Sequence, residues 1–182
     1  RVNHGGSEIS GWPVYLPGVV CVGSGNLFAN GNTEIVAGTS VGNKVYILSE
    51  DGVRIDSMVL SSRPMGIACG DFDGDQIDEI AVIELNGNLH VFRGSGEELS
   101  GFPFTQSHQI YADIGAGDVD GDGLPEVVFI TKYGFLYVVD NDGTVLLMKK
   151  VPRVNYIRYV SPIIADLDGD GRNDVLVHST DG

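Results

Sequence analysis

The chain has 182 residues, of which 25 are acidic and 11 basic, so its formal net charge is −14 at pH 7. Apolar residues account for 42% and aromatic residues for 8% of the sequence, which allows a buried core and argues against intrinsic disorder. The chain lacks a basic patch and an apolar stretch long enough to span a membrane. We therefore predict no binding to nucleic acid and no membrane insertion.

The first predicted repeat, residues 17–63, contains a nine-residue loop that leads into an apolar strand. Oxygen-bearing side chains stand at positions 1, 5 and 9 of this loop, namely Asn26, Asn30 and Glu34. Phe28 stands at position 3 and replaces a central ligand with an apolar ring. Calcium sites are built from several oxygen ligands that include carboxylates. We therefore expect this degenerate loop not to bind calcium tightly.

Three later loops carry a complete pattern, with acids at positions 1, 3, 5 and 9 and glycine at position 4. Ca²⁺ takes about six to eight oxygen ligands at roughly 2.3–2.6 Å, and alternating acids on a tightly curled loop direct several carboxylates at one point. Position 7 has no common side-chain chemistry, which suits a backbone carbonyl ligand. The acids are Asp71, Asp73, Asp75 and Glu79; Asp118, Asp120, Asp122 and Glu126; and Asp166, Asp168, Asp170 and Asp174.

The residues that follow these loops exclude an EF-hand. An EF-hand loop places a bidentate glutamate at position 12, between two helices. Here position 12 is occupied by Val82, Phe129 and Val177, all within β-rich runs. The sequence therefore predicts calcium loops that connect two strands.

The loops recur with a regular period. Position 9 falls at Glu79, Glu126 and Asp174, which are 47 and 48 residues apart, and Glu34 lies 45 residues before Glu79. Each loop is followed by a strand, a glycine turn, a second strand, an Asp-Gly or Ser-Gly turn and, in two repeats, a further strand. Four-stranded antiparallel units of this length are typical of propeller blades. We predict an all-β β-propeller with four repeats of about 45 to 48 residues in this chain.

The pattern Asp-x-Asp-Gly-Asp-Gly-x-x-Asp/Glu, followed by an aliphatic pair, resembles the FG-GAP and VCBS repeats of integrin-α-type β-propellers and of secreted microbial surface proteins. The resemblance covers essentially the whole chain. It implies that each loop joins the first two strands of a blade and binds Ca²⁺ through positions 1, 3, 5, 7 and 9. The position 7 ligands would be the carbonyls of Ile77, Leu124 and Arg172. Gln76 stands where the family has glycine at position 6.

The chain ends predict a composite blade. Residues 10–14 (Ser-Gly-Trp-Pro-Val) match residues 100–104 (Ser-Gly-Phe-Pro-Phe) at the end of a repeat. Three arrangements fit: a closed four-bladed ring, part of a ring of about seven blades, or two chains that complete a larger ring. A chain that starts at Arg1 without a signal peptide is typical of an excised segment. The predicted single propeller, 1–182, has blades at approximately 17–63, 64–106, 107–152, and 153–182 completed by 1–16.

Two cysteines, Cys21 and Cys69, fit either one disulfide bridge or two thiols. They lie five and two residues before their respective loops, and side chains alternate between the faces of a strand. The two side chains are therefore predicted to point to opposite faces of their inner strands, which favours two separate buried thiols over a disulfide bridge.

Calcium modules of this type have affinities of about 10⁻⁴–10⁻³ M and work where calcium is millimolar. We therefore predict an extracellular, secreted or cell-surface protein. Its predicted role is non-catalytic, in adhesion, ligand binding or scaffolding, with a protein or carbohydrate ligand on a propeller face. An open ring would also leave contacts for a dimer or for the rest of a parent chain.

The alternative is a carbohydrate-active propeller, similar to a polysaccharide lyase, or a lectin. Arg153, Tyr156 and Arg158 concentrate cations and aromatic rings before the last acidic loop, a combination suited to a uronate sugar. A strand lining the channel or a blade interface explains the same residues. Four further aromatic residues would suit stacking on sugars, although the nearby prolines favour packing between blades: Trp12, Tyr15, Phe102 and Phe104.

Overall fold

The computed structural model describes residues 2–152 and 161–177. These residues form fourteen β-strands, arranged as three four-stranded antiparallel sheets and one two-stranded sheet. Within the described ranges no helix is long and apolar enough to cross a membrane. The fold is all-β, and each sheet is built from strands that follow one another in sequence.

The first sheet has the strand order β1-β2-β3-β4. Glycines with positive φ make the turns after the second strand of the three larger sheets, at Gly42 (76°), Gly87 (99°) and Gly134 (76°). Only glycine adopts this backbone conformation without strain, so these residues end the second strands where the sequence predicted a turn. The four strands of the first sheet are β1 (Val19–Gly25), β2 (Glu34–Thr39), β3 (Lys44–Leu48) and β4 (Arg54–Val59).

The second and third sheets repeat this meander, with orders β5-β6-β7-β8 and β9-β10-β11-β12. Hairpin connections place consecutive strands side by side in an antiparallel sheet. The outer strands are the most exposed, and β12 is exposed along its whole length. The strands are β5 (Pro64–Gly70), β6 (Glu79–Glu84), β7 (Asn88–Phe92) and β8 (Phe104–Thr105), then β9 (Gly115–Gly117), β10 (Glu126–Ile130), β11 (Phe135–Val139) and β12 (Val145–Lys150).

The last sheet contains β13 (Ile163–Ala165) and β14 (Asp174–Leu176), which pair only with each other among the described residues. Residues 153–160 and 178–182 of the predicted fourth blade lie outside the described part of the chain. The blade boundaries, and the completion of this blade by residues 1–16, therefore stay a prediction.

The core lies between successive sheets rather than inside any one of them. Alternate residues of a strand point to opposite faces, so each sheet has two apolar faces. We call the face that contacts the preceding sheet the front and the other face the back. The back of the first sheet packs on the front of the second through Cys21, Val36, Val45 and Ile47 on one side and Ile67, Ile80 and Val82 on the other. The back of the second sheet packs on the front of the third through Ala81, Ile83, Leu89 and Val91 on one side and Ile114, Val127, Phe129 and Tyr137 on the other. The back of the third sheet packs on the front of the fourth through Val128, Leu136 and Val138 on one side and Ile164, Val175 and Val177 on the other.

Small residues let the innermost strands approach closely. A Cβ placed on Gly23 of β1 would lie 2.7 Å from Cγ2 of Ile67, and one on Gly117 of β9 would lie 2.9 Å from Cγ2 of Ile164. Real Cβ contacts are longer than this, so glycine is required for the sheets to fan out around a narrow centre. The three acidic loops and the degenerate loop each connect the first two strands of their sheets.

Candidate metal sites in the acidic loops

Each complete loop is curled by the aspartate at position 1. Asp71 accepts hydrogen bonds from the N–H groups of Gly74 (2.7 Å) and Gln76 (2.8 Å). Asp118 and Asp166 accept the equivalent bonds from positions 4 and 6 of their own loops. The loop conformation is therefore specified by its own side chains. Gln76 adopts a φ of 70°, which glycine adopts more easily at this position of the other two loops.

The loops bring three carboxylates together at each of three places. In every group, one oxygen of each of three acids lies within 4.8 Å of the others. Asp75, Glu126 and Asp170 are predicted ligands that do not belong to these groups. The groups are Asp71, Asp73 and Glu79; Asp118, Asp120 and Asp122; and Asp166, Asp168 and Asp174.

The backbone N–H of the residue at position 7 bonds to the side chain at position 5. The N–H groups of Ile77, Leu124 and Arg172 donate to the carboxylates at position 5 of their loops, at 2.8, 2.8 and 2.9 Å. These bonds draw the chain into a tight curve. Ligation by the three position 7 carbonyls, like the complete set of ligands, stays a prediction.

The acid at position 9 has a second, structural task. Glu79 accepts a hydrogen bond from the N–H of Phe72 at position 2 (2.9 Å), and Glu34, Glu126 and Asp174 accept the same bond in their loops. Glu79 and Glu126 are buried. One carboxylate oxygen therefore closes the loop, while the other oxygen stays available to a cation. In Glu126 that second atom, Oε1, is buried and has no hydrogen-bond partner.

The electrostatics of the second-sheet loop favour a cation. Burial and the nearby carboxylates of Asp73, Asp75 and Asp71 raise the pKa of Glu79 to about 7. The pKa of Glu126 is raised for the same reasons, with burial the largest. A bound cation would offset both the loss of solvation and the repulsion. Hard carboxylate oxygens at this density fit Ca²⁺ better than a softer metal.

The degenerate loop of the first sheet is closed by the same hydrogen bond as the other loops but has fewer acidic side chains. Glu34 accepts the N–H of Leu27 as in the other loops, but Phe28 is half-buried against the core between the first and second sheets. Within the described residues, Glu34 belongs to no group of three His, Cys, Asp or Glu side chains that could share a metal ion. The amide-for-acid changes explain why this loop holds its shape but gathers no comparable charge.

Arg93 is a component of the site that sequence reasoning missed. It follows β7 and its Nη2 lies 2.5 Å from Oδ2 of Asp73, a predicted calcium ligand. The backbone N–H of Arg93 donates to the carbonyl of the residue four positions later. Ser49 in the first sheet and Asp140 in the third make the same bond, so they occupy the equivalent turn position. Among the three turns of this kind that the structure describes, the one in the second sheet is thus the one that carries a cation. Only the repeat alignment could have indicated it, since Arg93 is far from the motif in sequence.

Position 8 connects neighbouring loops, which sequence reasoning also missed. Asp78 accepts the N–H of Asn26, position 1 of the preceding loop, at 2.7 Å. Asn173 donates through Nδ2 to the carbonyl of Asp118, again position 1 of the preceding loop, at 2.7 Å. A loop is therefore bonded to the preceding loop at two of the three sheet boundaries, whereas position 8 of the third-sheet loop is Pro125.

Of the remaining described candidates, Tyr15 is exposed and the others are engaged in the fold. Cys21 and Cys69 are free thiols whose pKa burial raises to about 12. Trp12 donates through Nε1 to the carbonyl of Glu50 (2.8 Å), and Phe102 and Phe104 pack against the core between the second and third sheets. Tyr15 is 89% exposed. The uronate candidates Arg153, Tyr156 and Arg158 lie outside the described residues.

Solved structures similar to this chain show its type of fold. BBS1N in complex with ARL6DN matches with a TM-score of 0.67 and 17% identity, over 90% of this chain and 44% of that one. BamB from Moraxella catarrhalis matches with a TM-score of 0.60 and 18% identity, over 81% of this chain and 41% of that one. The fold is of the β-propeller type, and the chain spans less than half the length of these structures. No curated protein matches it.

A family model described as an FG-GAP-like repeat matches residues 71–129 and 118–177. Each match begins at position 1 of one complete loop and continues through the next, and together they cover more than half of the chain. The chain belongs to the FG-GAP-like repeat family. The resemblance predicted from the acidic loops is confirmed.

Proposed function

We propose that this chain is a calcium-stabilised, non-catalytic β-propeller module of an extracellular or cell-surface protein, built of four repeats and carrying a protein or carbohydrate ligand on one of its faces. The observation that carries the proposal is the convergence of three carboxylates in each of three loops at equivalent places in the fold. A repeated site of this kind suits a structural role, because each copy supports its own sheet.

Calcium would stabilise the module by binding only the folded state. The carboxylates within each acidic group repel one another, and three bound Ca²⁺ ions would change the net charge from −14 to −14 + 6 = −8. Loops of this class bind with dissociation constants of about 10⁻⁴–10⁻³ M. Such affinities are useful where calcium is millimolar, which supports an extracellular location.

A protein ligand is favoured over a carbohydrate by the comparisons. BBS1N, whose fold this chain shares, was solved in complex with ARL6DN. The acidic loops are engaged in holding the strands, so a ligand would contact the other connections of the sheets. This part of the proposal predicts that ligand binding survives substitutions in one acidic loop as long as the fold is intact.

The decisive experiment is calorimetric. We expect the melting temperature of the protein to be higher in excess calcium than in EGTA, because each occupied site adds about 1–3 kcal/mol when calcium is about ten to a hundred times the dissociation constant. Isothermal titration should count three sites. Magnesium at the same concentration serves as the ionic-strength control, and melting curves that coincide in calcium and EGTA would refute the proposed role of calcium.

A further inference from the structure

A cavity of about 180 Å³ lies where the innermost strands of the sheets begin. All four sheets contribute to its wall. Val20 lies near the start of β1, Arg63 directly precedes β5, and Asp113 and Ser161 stand two residues before β9 and β13. The acidic loops and the degenerate loop follow the opposite ends of these same strands. The cavity is therefore distinct from the candidate metal sites.

Arg63 brings to this cavity a cation that the rest of the fold does not use. Its Nε is buried and has no hydrogen-bond partner, and none of the described ion pairs includes its guanidinium. Such a group is uncommon in a folded protein, because a buried donor without an acceptor loses the hydrogen bond that it makes in water. The second sheet has a described sheet packed on each side, so the missing partner does not depend on where the chain begins or ends.

Asp113, the acid of the cavity, is by contrast held by the fold. Its Oδ1 accepts the N–H of Ile114 at 2.9 Å and that of Ile67 at 3.2 Å, and the second bond ties the third sheet to the second. Burial raises the pKa of Asp113, although these two bonds and one with the side chain of Ser161 favour its charged form. Arg63 is therefore the group in the cavity that is left for an anion.

Tyr111 connects the cavity to a rim of cations and aromatic rings on the third sheet. Nζ of Lys132 lies 5.3 Å from the ring centroid of Tyr111 and 5.5 Å from that of Tyr133, which is 47% exposed. Lys150 donates to the backbone carbonyl of Tyr133. These contacts hold flexible lysine side chains in place, so less conformational entropy is lost when a ligand binds them.

The cations of the cavity and the rim are not general features of the repeat. The carbonyl of Arg63 accepts a backbone N–H from the turn after the second strand of its sheet, as the carbonyls of Gly18 and Gln109 do in the first and third sheets. The turn residue that donates is Lys132 in the third sheet and is uncharged in the other two. The architecture therefore requires a cation at neither place, which indicates a role outside the fold.

The charges around the cavity define the ligand that it suits. The chain has 25 acidic and 11 basic residues, and its acidic loops lie at the opposite ends of the inner strands. Arg63, Lys132 and Lys150 are far apart in sequence, and folding brings them to the cavity and its rim. A negatively charged ligand is therefore attracted to this end of the sheets and repelled from the acidic loops.

We propose that an acidic segment of a partner protein binds at this end, with one carboxylate in the cavity paired to Arg63 and a neighbouring acidic side chain beside Lys132. The proposal rests on the proposed role of the chain as a ligand-binding module and adds the place and the chemistry of the ligand. A guanidinium binds a carboxylate through two parallel hydrogen bonds. A protein is favoured over a uronate polymer because a carboxylate on a flexible side chain reaches a recessed cation more easily than one attached directly to a sugar ring.

The test is fluorescence anisotropy of a labelled oligoglutamate peptide with the intact chain in excess calcium, at a salt concentration of about 0.15 M that limits long-range attraction. We expect the wild type to bind oligoglutamate but not oligoglutamine. Arg63→Gln should weaken binding by at least about tenfold, and Lys132→Gln by about two- to fivefold. Arg54→Gln removes the same charge from a guanidinium that stacks on Tyr46, and it should leave the affinity unchanged.

Two further variants and a second ligand make the result specific. R63Q should melt at the wild-type temperature, because Arg63 has no partner to lose, and Arg63→Lys should recover part of the binding, because lysine keeps the charge without the paired donors. A wild type that does not bind oligoglutamate, or an R54Q variant that weakens binding as much as R63Q, would overturn the proposal. Stronger binding of oligogalacturonate than of oligoglutamate would overturn the assignment to a protein ligand.

The rim keeps the proposal testable if R63Q folds poorly, since equal affinities of K132Q and wild type for oligoglutamate would then overturn it. Melting curves in calcium and in EGTA test the proposed calcium stabilisation separately. A chain that melts at a higher temperature in calcium but does not bind the peptide would refute the acidic ligand alone. A chain that binds the peptide with coincident melting curves would refute the role of calcium alone.

Discussion

At the scale of single residues, the carboxylates of the acidic loops have two roles: they shape the loop by hydrogen bonding, and they supply negative charge for a cation. The aspartate at position 1 and the acid at position 9 accept backbone N–H groups, as Asp71 and Glu79 do in the second-sheet loop. Hydrogen bonds from the backbone to a carboxylate are among the stronger bonds in proteins. The loops are therefore shaped before a cation binds, and the cation adds charge compensation to an existing geometry.

Arg93 makes one of the three loops different from the others. Its guanidinium forms an ion pair with the carboxylate of Asp73, and this pairing raises the pKa of Arg93. A calcium ion that uses Asp73 must compete with this internal cation. The second-sheet loop should consequently be the weakest of the three complete sites, an effect strengthened by Gln76 at its positive φ.

We predict that Arg93→Gln tightens calcium binding at one site by a factor of about two to five, the range expected for removing an exposed ion pair. Titration calorimetry would resolve this change if the three sites are fitted separately. Arg54→Gln is the matched control, since Arg54 stacks on Tyr46 and contacts no acidic loop in the described interactions. Equal affinities in wild type and R93Q would show that Arg93 does not compete for Asp73.

At the scale of the element, the unit is a strand, an acidic loop and a second strand. The loop of the third sheet connects β9 to β10 and is anchored by Glu126, whose Oε2 accepts the N–H of Val119 at 2.6 Å. Asp120, by contrast, is exposed and reaches toward the other acids. Asp120 accepts the N–H of Asp122 at 3.1 Å, but the bond that closes the loop is made by Glu126, so the charge of Asp120 can be removed while that anchor stays in place.

Asp120→Ala is predicted to remove one calcium site and leave the fold intact. In excess calcium the free energy of unfolding should fall by about 1–3 kcal/mol, which is the binding contribution of one site. In EGTA it should be unchanged or slightly higher, because a repulsive charge has gone. Melting curves in both buffers provide the measurement, and Asp142→Ala, outside the acidic loops, provides the control. An equal loss of stability in EGTA would mean that Asp120 is needed for the fold itself.

At the scale of the whole molecule, stability comes from the cores between sheets. Phe129 is fully buried and its ring stacks on Tyr137, with centroids 5.1 Å apart, in the interface between the second and third sheets. Phe104 from β8 tilts against both rings. Each sheet therefore depends on its neighbours, as expected of a repeat architecture in which no unit buries its faces alone.

Phe129→Ala should lower the free energy of unfolding by about 3–5 kcal/mol, the usual cost of removing a buried aromatic ring. Leu147→Ala on β12, where the side chain is 41% exposed, should lower it by less than about 1 kcal/mol. Urea unfolding followed by circular dichroism compares the two. Similar losses for both variants would contradict the view that stability resides between the sheets.

The sequence by itself determined the repeat, the strand-connecting acidic loops and the all-β class. These features are local: alternating acids, glycines with positive φ and short β-rich runs act over a few residues, and their recurrence every 45 to 48 residues reveals the unit. The glycine turns at Gly42, Gly87 and Gly134 were predicted for the same reason and are present.

Only the tertiary structure decided which residues from distant parts of the chain meet. The pairing of Arg93 with Asp73, the bonds that join Asp78 and Asn173 to the preceding loops, and the exposure of Val22 and Leu176 all depend on tertiary structure. Apolar residues at the same position of every repeat look alike in sequence. Whether such a residue is buried depends on a neighbouring sheet, and that neighbour is supplied by the packing of the repeats.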